Sequence, residues 1–400
     1  MRTQGKGGTP MENEKKNLIV TTFFAVILFV ITYQVIMAII YSDYLVHAEN
    51  AELLLESGLL ALLNEIGYPL WALLVGSVMK ISCAPAYEAS AIVGGSLNAL
   101  TYVLVYFYLV KGYKEERGNI AALTWMLLLA GPFYVPWYNP EVYLGQVTPN
   151  IWHNPTTICV RPFALVSFLV ILELLKRYEE DQKKLNIKNW LLLAVLLVLC
   201  NLAKPSFIQI AIPGLAIYLL ILLIRTKGKS FGFCFQLASA FVPSVAIMLW
   251  QFVVSFVTSS FAEGGIEIAW FDELGHYSPS IPFSMLLSFL FPLYVILTNI
   301  RIVKERDIRL TFFLWLSGFL EAAMLAETGY RRYHGNFGWG HVLAAFLVYA
   351  VTFRYFLRRN REYDYQNLRE RIPIIIGWVI FILQFAVGVY YISTFFQPVV

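Results

Sequence analysis

The run Leu18–Tyr41 carries no charge, and the segment that follows it, "YSDYLVHAENAELLLESG", places Asp43, His47 and Glu49 within a few positions of its end. Asp43 and His47 are one helical turn apart, so on a helix their side chains reach each other. A carboxylate and an imidazole so placed can take a proton from a hydroxyl, orient one another, contact a phosphate or offer two ligands to Mg²⁺ or Mn²⁺. Two ligands are too few for a divalent site, so no metal is assigned and a cofactor stays open. The non-catalytic alternative is capping, with Ser42 or Asp43 closing the start of a loop helix and Glu49 in its early turns.

The elements that position this pair belong to a membrane. A chain of 400 residues that is 58% hydrophobic and 14% charged is too apolar for a water-soluble domain. Leu18–Tyr41 measures about 36 Å as a helix, enough to cross a hydrocarbon core of about 30 Å with some tilt. It exceeds a signal-peptide core and reads as an uncleaved signal anchor. The fold expected is all-α, a polytopic transmembrane bundle of about eleven spans. They are Leu18–Tyr41, Glu88–Val110, Ile120–Trp137, Thr156–Leu175, Trp190–Ala203, Phe207–Ile224, Phe231–Val257, Phe283–Ile300, Leu310–Ala326, Gly340–Leu357 and Ile374–Tyr391. Residues 1–17 form a polar cytoplasmic tail and 18–400 a single transmembrane domain without repeats or a dividing linker. Cys83, Cys159, Cys200 and Cys234 contain no CxxC pair and read as small hydrophobes.

Charge orients the bundle, because Lys and Arg stay on the cytoplasmic side of short loops. All but Lys80, Arg161, Lys204, Arg331 and Arg332 of the 30 Lys and Arg lie in the tail or in "KGYKEER", "KRYEEDQKKLNIK", "RTKGK", "RIVKERDIR" and "RYFLRRNREYDYQNLRER". With these inside, Tyr41 is outside and Lys111 inside, which demands an odd number of crossings between them. Two apolar stretches are available. The shorter, "GYPLWALLVGSVMKISCAP", gives about 21 Å of helix before Lys80 and is expected to be re-entrant or interfacial. Before it, Ala48, Ala51, Leu55, Leu59, Leu62 and Ile66 recur near helical spacing, as in an amphipathic helix lying on the surface. The first outer loop is therefore long and built of interfacial helices.

This topology puts His47, His153, His276, His334 and His341, all the histidines of the chain, on the outer face, together with the five basic residues that escape the inner loops. Cations placed against the positive-inside bias usually face an interior or a cavity, so an outer functional cavity is expected. Cytoplasmic chemistry is disfavoured because the inner loops are short, basic and lack a Gly-rich phosphate cradle. No nucleic-acid partner is expected. The outer tryptophans, Trp137, Trp152, Trp270 and Trp339, offer faces on which a sugar can stack, but an interfacial aromatic belt is the preferred reading.

An acidic residue just past the first span, a long outer loop of interfacial helices with a Tyr-Pro-Leu element, and then a second true span resemble the GT-C superfamily of polyprenyl-phosphate-sugar-dependent glycosyltransferases. "WHNPTTICVRPFAL" occupies the place of the Asp/Asn-Pro start of the fourth span in aminoarabinose transferases and protein mannosyltransferases. "NLAKPSFIQIAIPGLAIYLL" is similar to their Lys-Gly or Lys-Pro junction, and the cationic "ETGYRRYHGNFGWG" sits late in the chain, where the superfamily often places an arginine on the donor phosphate. Residues 18–257 would form the GT-C-like module and 258–400 the variable C-terminal spans. The chain departs from the family in having no second acid after Asp43 and in placing His47 where many members carry an acid or an aromatic.

The resemblance implies a glycosyltransferase in a membrane such as the bacterial inner membrane, acting on its outer face. It would move a sugar from a polyprenyl-phosphate donor to a lipid, glycan or protein acceptor, with membrane lipids as surroundings. Asp43 is then the general base on the acceptor hydroxyl and His47 its partner. Lys204, Arg331 and Arg332 would meet the leaving phosphate, with His153, Asn154, His334 and Asn336 as further substrate contacts. Asp272 and Glu273 form a second acidic pair, ranked below Asp43. The alternatives are a lipid-linked oligosaccharide polymerase or ligase that needs no carboxylate, and a transporter, whose ionisable groups belong nearer the midplane, where Glu321 is the clearest.

Overall fold

A computed structural model describes residues 10–39, 43–111, 117–142, 145–182, 184–260, 262, 264–364 and 366–397. Within these the regular structure is helical apart from one two-stranded antiparallel sheet, β1 (Ile266–Ile268) with β2 (Leu325–Glu327), in which Glu267 pairs with Ala326. Its helices begin with α1 (Pro10–Ala38), α2 (Asp43–Glu65), α3 (Pro69–Ser82), α4 (Ala86–Val110), α5 (Arg117–Leu129), α6 (Pro155–Asp181), α7 (Ile187–Ala203) and α8 (Ser206–Arg225). There follow α9 (Phe231–Ser239), α10 (Val242–Val253), α11 (Asp272–Tyr277), α12 (Ile281–Thr298), α13 (Arg306–Met324), α14 (Gly338–Glu362) and α15 (Leu368–Thr394).

Seven of them, α1, α4, α6, α8, α12, α14 and α15, are long and apolar enough to cross a membrane, and the pair α9 and α10, bent by 41°, makes an eighth if it counts as one span. The protein is thus an all-α, polytopic membrane protein. The remaining expected spans fall short for separate reasons. α7 has 17 residues and α5 only 13, while α13 carries Arg306, Asp307, Arg309 and Glu321 along its length.

α5 stops at Leu129 although its apolar sequence runs on to Trp137. Gly131, Pro132 and Pro136 follow, and proline cannot donate to a continuing helix. The freed chain crosses α15 instead, where the Gly131 N–H donates to the Gln384 carbonyl at 2.9 Å. The crossing is so close that a Cβ on Gly388 would stand 1.6 Å from the Leu129 carbonyl oxygen.

The first loop is helical, as its periodicity predicts, but not as one continuous stripe. Gly58 sits at φ 85° and breaks α2, a conformation glycine adopts without penalty. Ala48, Ala51 and Leu62 are buried, whereas Leu55 and Leu59, either side of the break, are exposed. α3 has 14 residues, about 21 Å, the length read from the sequence and short of a bilayer. All four cysteines are free thiols, with Cys159 and Cys200 buried.

α14 is the most enclosed of the long helices, packed between α8, α12 and α13. α1, α3 and α6 flank α4, and α6 lies on α7. The starts of α2, α6 and α14 and the α7–α8 junction meet at one end of the bundle, where the site forms.

Candidate functional site

"HNPTT" is a helix start written in sequence. Pro155 takes the first position of α6, where no N–H is needed, and Asn154 caps it, its Oδ1 accepting from the Thr157 N–H and the Thr156 hydroxyl at 2.9 Å each. The other end of the same amide, Nδ2, donates to the Asp43 carboxylate at 2.5 Å. Asp43 thus opens α2 with its carboxylate turned to α6, and its partner is not the α2 backbone. Ser42, the other capping candidate, lies outside the described residues, as does Tyr41.

Lys204 completes the arrangement from a third element. It ends α7 with an extended backbone before Pro205, and its Nζ donates to Asn154 Oδ1 and Thr156 Oγ1 at 3.1 Å and to Thr157 Oγ1 at 3.3 Å. The ammonium also stands 4.1 Å over the ring of Trp339. Every one of these partners is neutral. Lys204 is 7% exposed, and burial brings its pKa down to about 7, with the nearby Asp43 carboxylate opposing the shift.

Of the three histidines named from sequence, His153 joins the cluster by contact and His47 lies within reach of its charges. His153 Nδ1 lies 2.8 Å from the Tyr391 hydroxyl, with its ring 6.1 Å from that of Trp339. Burial holds His47 and His153 at about 4 each, Asp43 opposing and the Lys204 charge adding to the shift. At neutral pH both are neutral imidazoles without positive charge, and His153 supplies its hydrogen bond to Tyr391. The loop before α6 is fixed by Arg161, 3% exposed, which donates to the Ile151 carbonyl at 2.7 Å and to Asn150 Oδ1 at 3.4 Å. The Tyr44 hydroxyl ties α2 to the same loop through the Trp152 carbonyl at 3.0 Å.

The late cationic segment is placed differently from the expectation. Arg331 pairs with Glu327 at 2.9 Å and donates to the Ser255 carbonyl at 3.3 Å, and Arg332 pairs with Glu267 at 2.5 Å and Asp272 at 2.9 Å. Asn336 donates to Glu327, and His334 packs edge-on to Tyr330. These residues brace β1, β2 and α11, and no described contact joins them to Asp43, His153 or Lys204. What the segment contributes to the cluster is Trp339, at the start of α14. Asp272 is occupied by Arg332, whereas Glu273 is buried and raised to about 8 by burial, with Glu327 and Asp272 adding. Glu273 and Trp339 both line a small cavity of about 30 Å³.

Sequence reasoning named Asp43, His47, His153, Asn154 and Lys204, assigned Trp339 to an aromatic belt ahead of sugar stacking, and missed Thr156, Thr157 and Tyr391. The threonines were legible in the capping pattern. The aromatics had no signal beyond membrane-interface composition. Among the described residues no three His, Cys, Asp or Glu side chains gather as a metal site would require. No protein-family model and no curated protein sequence matches the chain.

Proposed function

We propose that this protein is a membrane glycosyltransferase of the GT-C kind, transferring a sugar from a polyprenyl phosphate to a lipid, glycan or protein acceptor on the outer face of the membrane. The observation that carries the reading is the relay Asp43–Asn154–Lys204, an exposed carboxylate and a buried ammonium held at either end of one capping amide. Inverting or retaining transfer from a lipid phosphate needs a base for the acceptor proton and a cation for the charge growing on the leaving phosphate. Asp43 is exposed to receive a hydroxyl, and Lys204, whose contacts are all neutral, has its charge free for an anion. In this reading Arg331 and Arg332 hold the outer loop together, and the phosphate contact expected of them passes to Lys204.

The test is Asp43→Asn assayed with a labelled polyprenyl-phosphate sugar. Asn retains an oxygen to accept from Asn154, so the fold should persist while the base is lost. Turnover should fall by about 10² to 10⁴, with donor binding nearly unchanged. An Asp43→Asn enzyme that keeps most of its activity overturns the base role and favours the polymerase or ligase reading, in which the Lys204 cluster acts without a carboxylate.

A further inference from the structure

At the opposite end of α6 the bundle opens into a much larger cleft, of about 1250 Å³, between the last turns of α4, α6 and α14 and the start of α13. It lies roughly 30 Å along α6 from Asn154 at 1.5 Å per residue. Eight Lys and Arg side chains line it against five carboxylates. In sequence these cations are scattered over separate basic loops, where each reads as an ordinary solvated charge. The fold turns them onto one volume.

Ion pairs account for part of the charge. Arg306 meets Glu179 at 2.9 Å and Glu180 at 3.4 Å, Arg358 meets Glu362 at 3.2 Å, and Glu173 is taken by Arg177 at 2.9 Å. Asp307 has Arg354 at 3.7 Å and accepts from the hydroxyls of Tyr355 at 2.7 Å and Tyr108 at 3.3 Å. Among the described residues Lys111, Lys176, Lys304 and Arg309 then stand with no carboxylate within 4.0 Å, and Glu305 is the one lining acid outside an ion pair. Arg309 Nε is buried and has no hydrogen-bond partner. A buried donor left unmade costs free energy that an incoming acceptor recovers.

The remaining wall is apolar. Leu104, Phe107, Leu169 and Leu172 come from the flanks of α4 and α6, with Phe107 62% exposed on the outside of the bundle. Arg309 also borders a second cavity of about 470 Å³ whose other lining is almost wholly hydrophobic, from α12, α13 and α14. A cation cluster beside hydrocarbon-lined walls fits an anion with a hydrocarbon tail, and phosphate supplies several acceptor oxygens to Arg and Lys at once.

We infer that this cavity is a second binding site, for a phosphate-bearing amphiphile whose headgroup sits among Lys111, Lys176, Lys304 and Arg309. The inference does not depend on the glycosyltransferase reading, because it rests on residues at the other end of the molecule. The phosphate can come from a membrane lipid or from a soluble compound, and the experiment separates the two. Purified protein in neutral detergent is titrated with phosphatidylglycerol, with diacylglycerol of the same chains and with inorganic phosphate, and bound ligand is read by native mass spectrometry and thermal shift. Phosphatidylglycerol should bind and diacylglycerol should not. At roughly fivefold per lysine, about 1 kcal/mol each, Lys176→Gln with Lys304→Gln should weaken binding about thirtyfold. Lys188→Gln, exposed and not among the residues that line the cavity, should leave binding unchanged. Both lysines are exposed, so folding should survive, and Lys304→Gln alone should still show its fivefold loss. Inorganic phosphate binding with the same lysine dependence, and phosphatidylglycerol not binding, overturns the amphiphile and leaves a site for a soluble phosphate. Diacylglycerol binding as well as phosphatidylglycerol, or binding indifferent to both lysines, overturns the proposal.

Discussion

Lys204 shows how one side chain's surroundings set its use. Its three hydrogen-bond acceptors and the Trp339 face satisfy it geometrically, yet none carries a charge, so burial outweighs the help of Asp43 and the ammonium titrates at about 7. A bound phosphate would favour the protonated form and raise that pKa, so binding takes up a proton above pH 7. By linkage, the affinity for a polyprenyl-phosphate sugar, whose phosphodiester keeps a single charge throughout, should be flat below about pH 7 and fall by up to about tenfold per pH unit above it. Titrations between pH 6 and 9 check this, and Lys204→Gln should bind weakly with no such slope. His47 and His153, held at about 4, do not change charge in that range. Four of the five cluster residues named from sequence belong to local patterns, a post-span acid with its histidine and a capped Asn-Pro start. Trp339 belongs to none, because its partner Lys204 lies on an element remote in sequence.

Among the secondary elements, breaks in helices matter as much as the helices. The predicted span to Trp137 ends early because a Gly-Pro pair lets the chain leave α5 and cross α15 at Gly388. Gly388→Ala should therefore force the two backbones apart, costing roughly 1–3 kcal/mol as an overpacked site. Gly232, inside α9, meets nothing within 4 Å of where a Cβ would be built. Gly232→Ala should stabilise by about 0.4–1 kcal/mol through the lower entropy of the unfolded chain. Thermal unfolding in detergent should move the two melting temperatures in opposite directions. Equal effects would mean that the Gly388 crossing does not constrain the fold. The Gly58 break in α2 follows the same logic: helical spacing was visible on each side of it, but the change of phase was not.

Across the bundle as a whole, the Asp43 cluster and the large cationic cavity occupy opposite ends of α6. The positive-inside expectation would put the cluster outside and the cavity inside, with α3 a helix that does not cross. Cys83, exposed just after α3, reports this directly. A membrane-impermeant maleimide should label Cys83 in intact cells. A Lys304→Cys variant with Cys83 replaced should label only after lysis. Cys83 silent until lysis would put α3 across the membrane and reverse the assigned parity.

The class of molecule, most of its long helices, the short α3 and the capped start of α6 are all legible in the chain itself. These follow from composition, apolar length and the chemistry of Asn, Pro and Gly at helix ends, all local properties. The pairing of charges is a matter for the folded bundle alone. Arg331 and Arg332 looked free for a phosphate, yet Glu327, Glu267 and Asp272 take them. Lys111, Lys176, Lys304 and Arg309 looked like loop charges, yet they face one cavity. A side chain's charge is written in the sequence, but its partner is chosen by packing between segments far apart in the chain, and no spacing rule reaches across that distance.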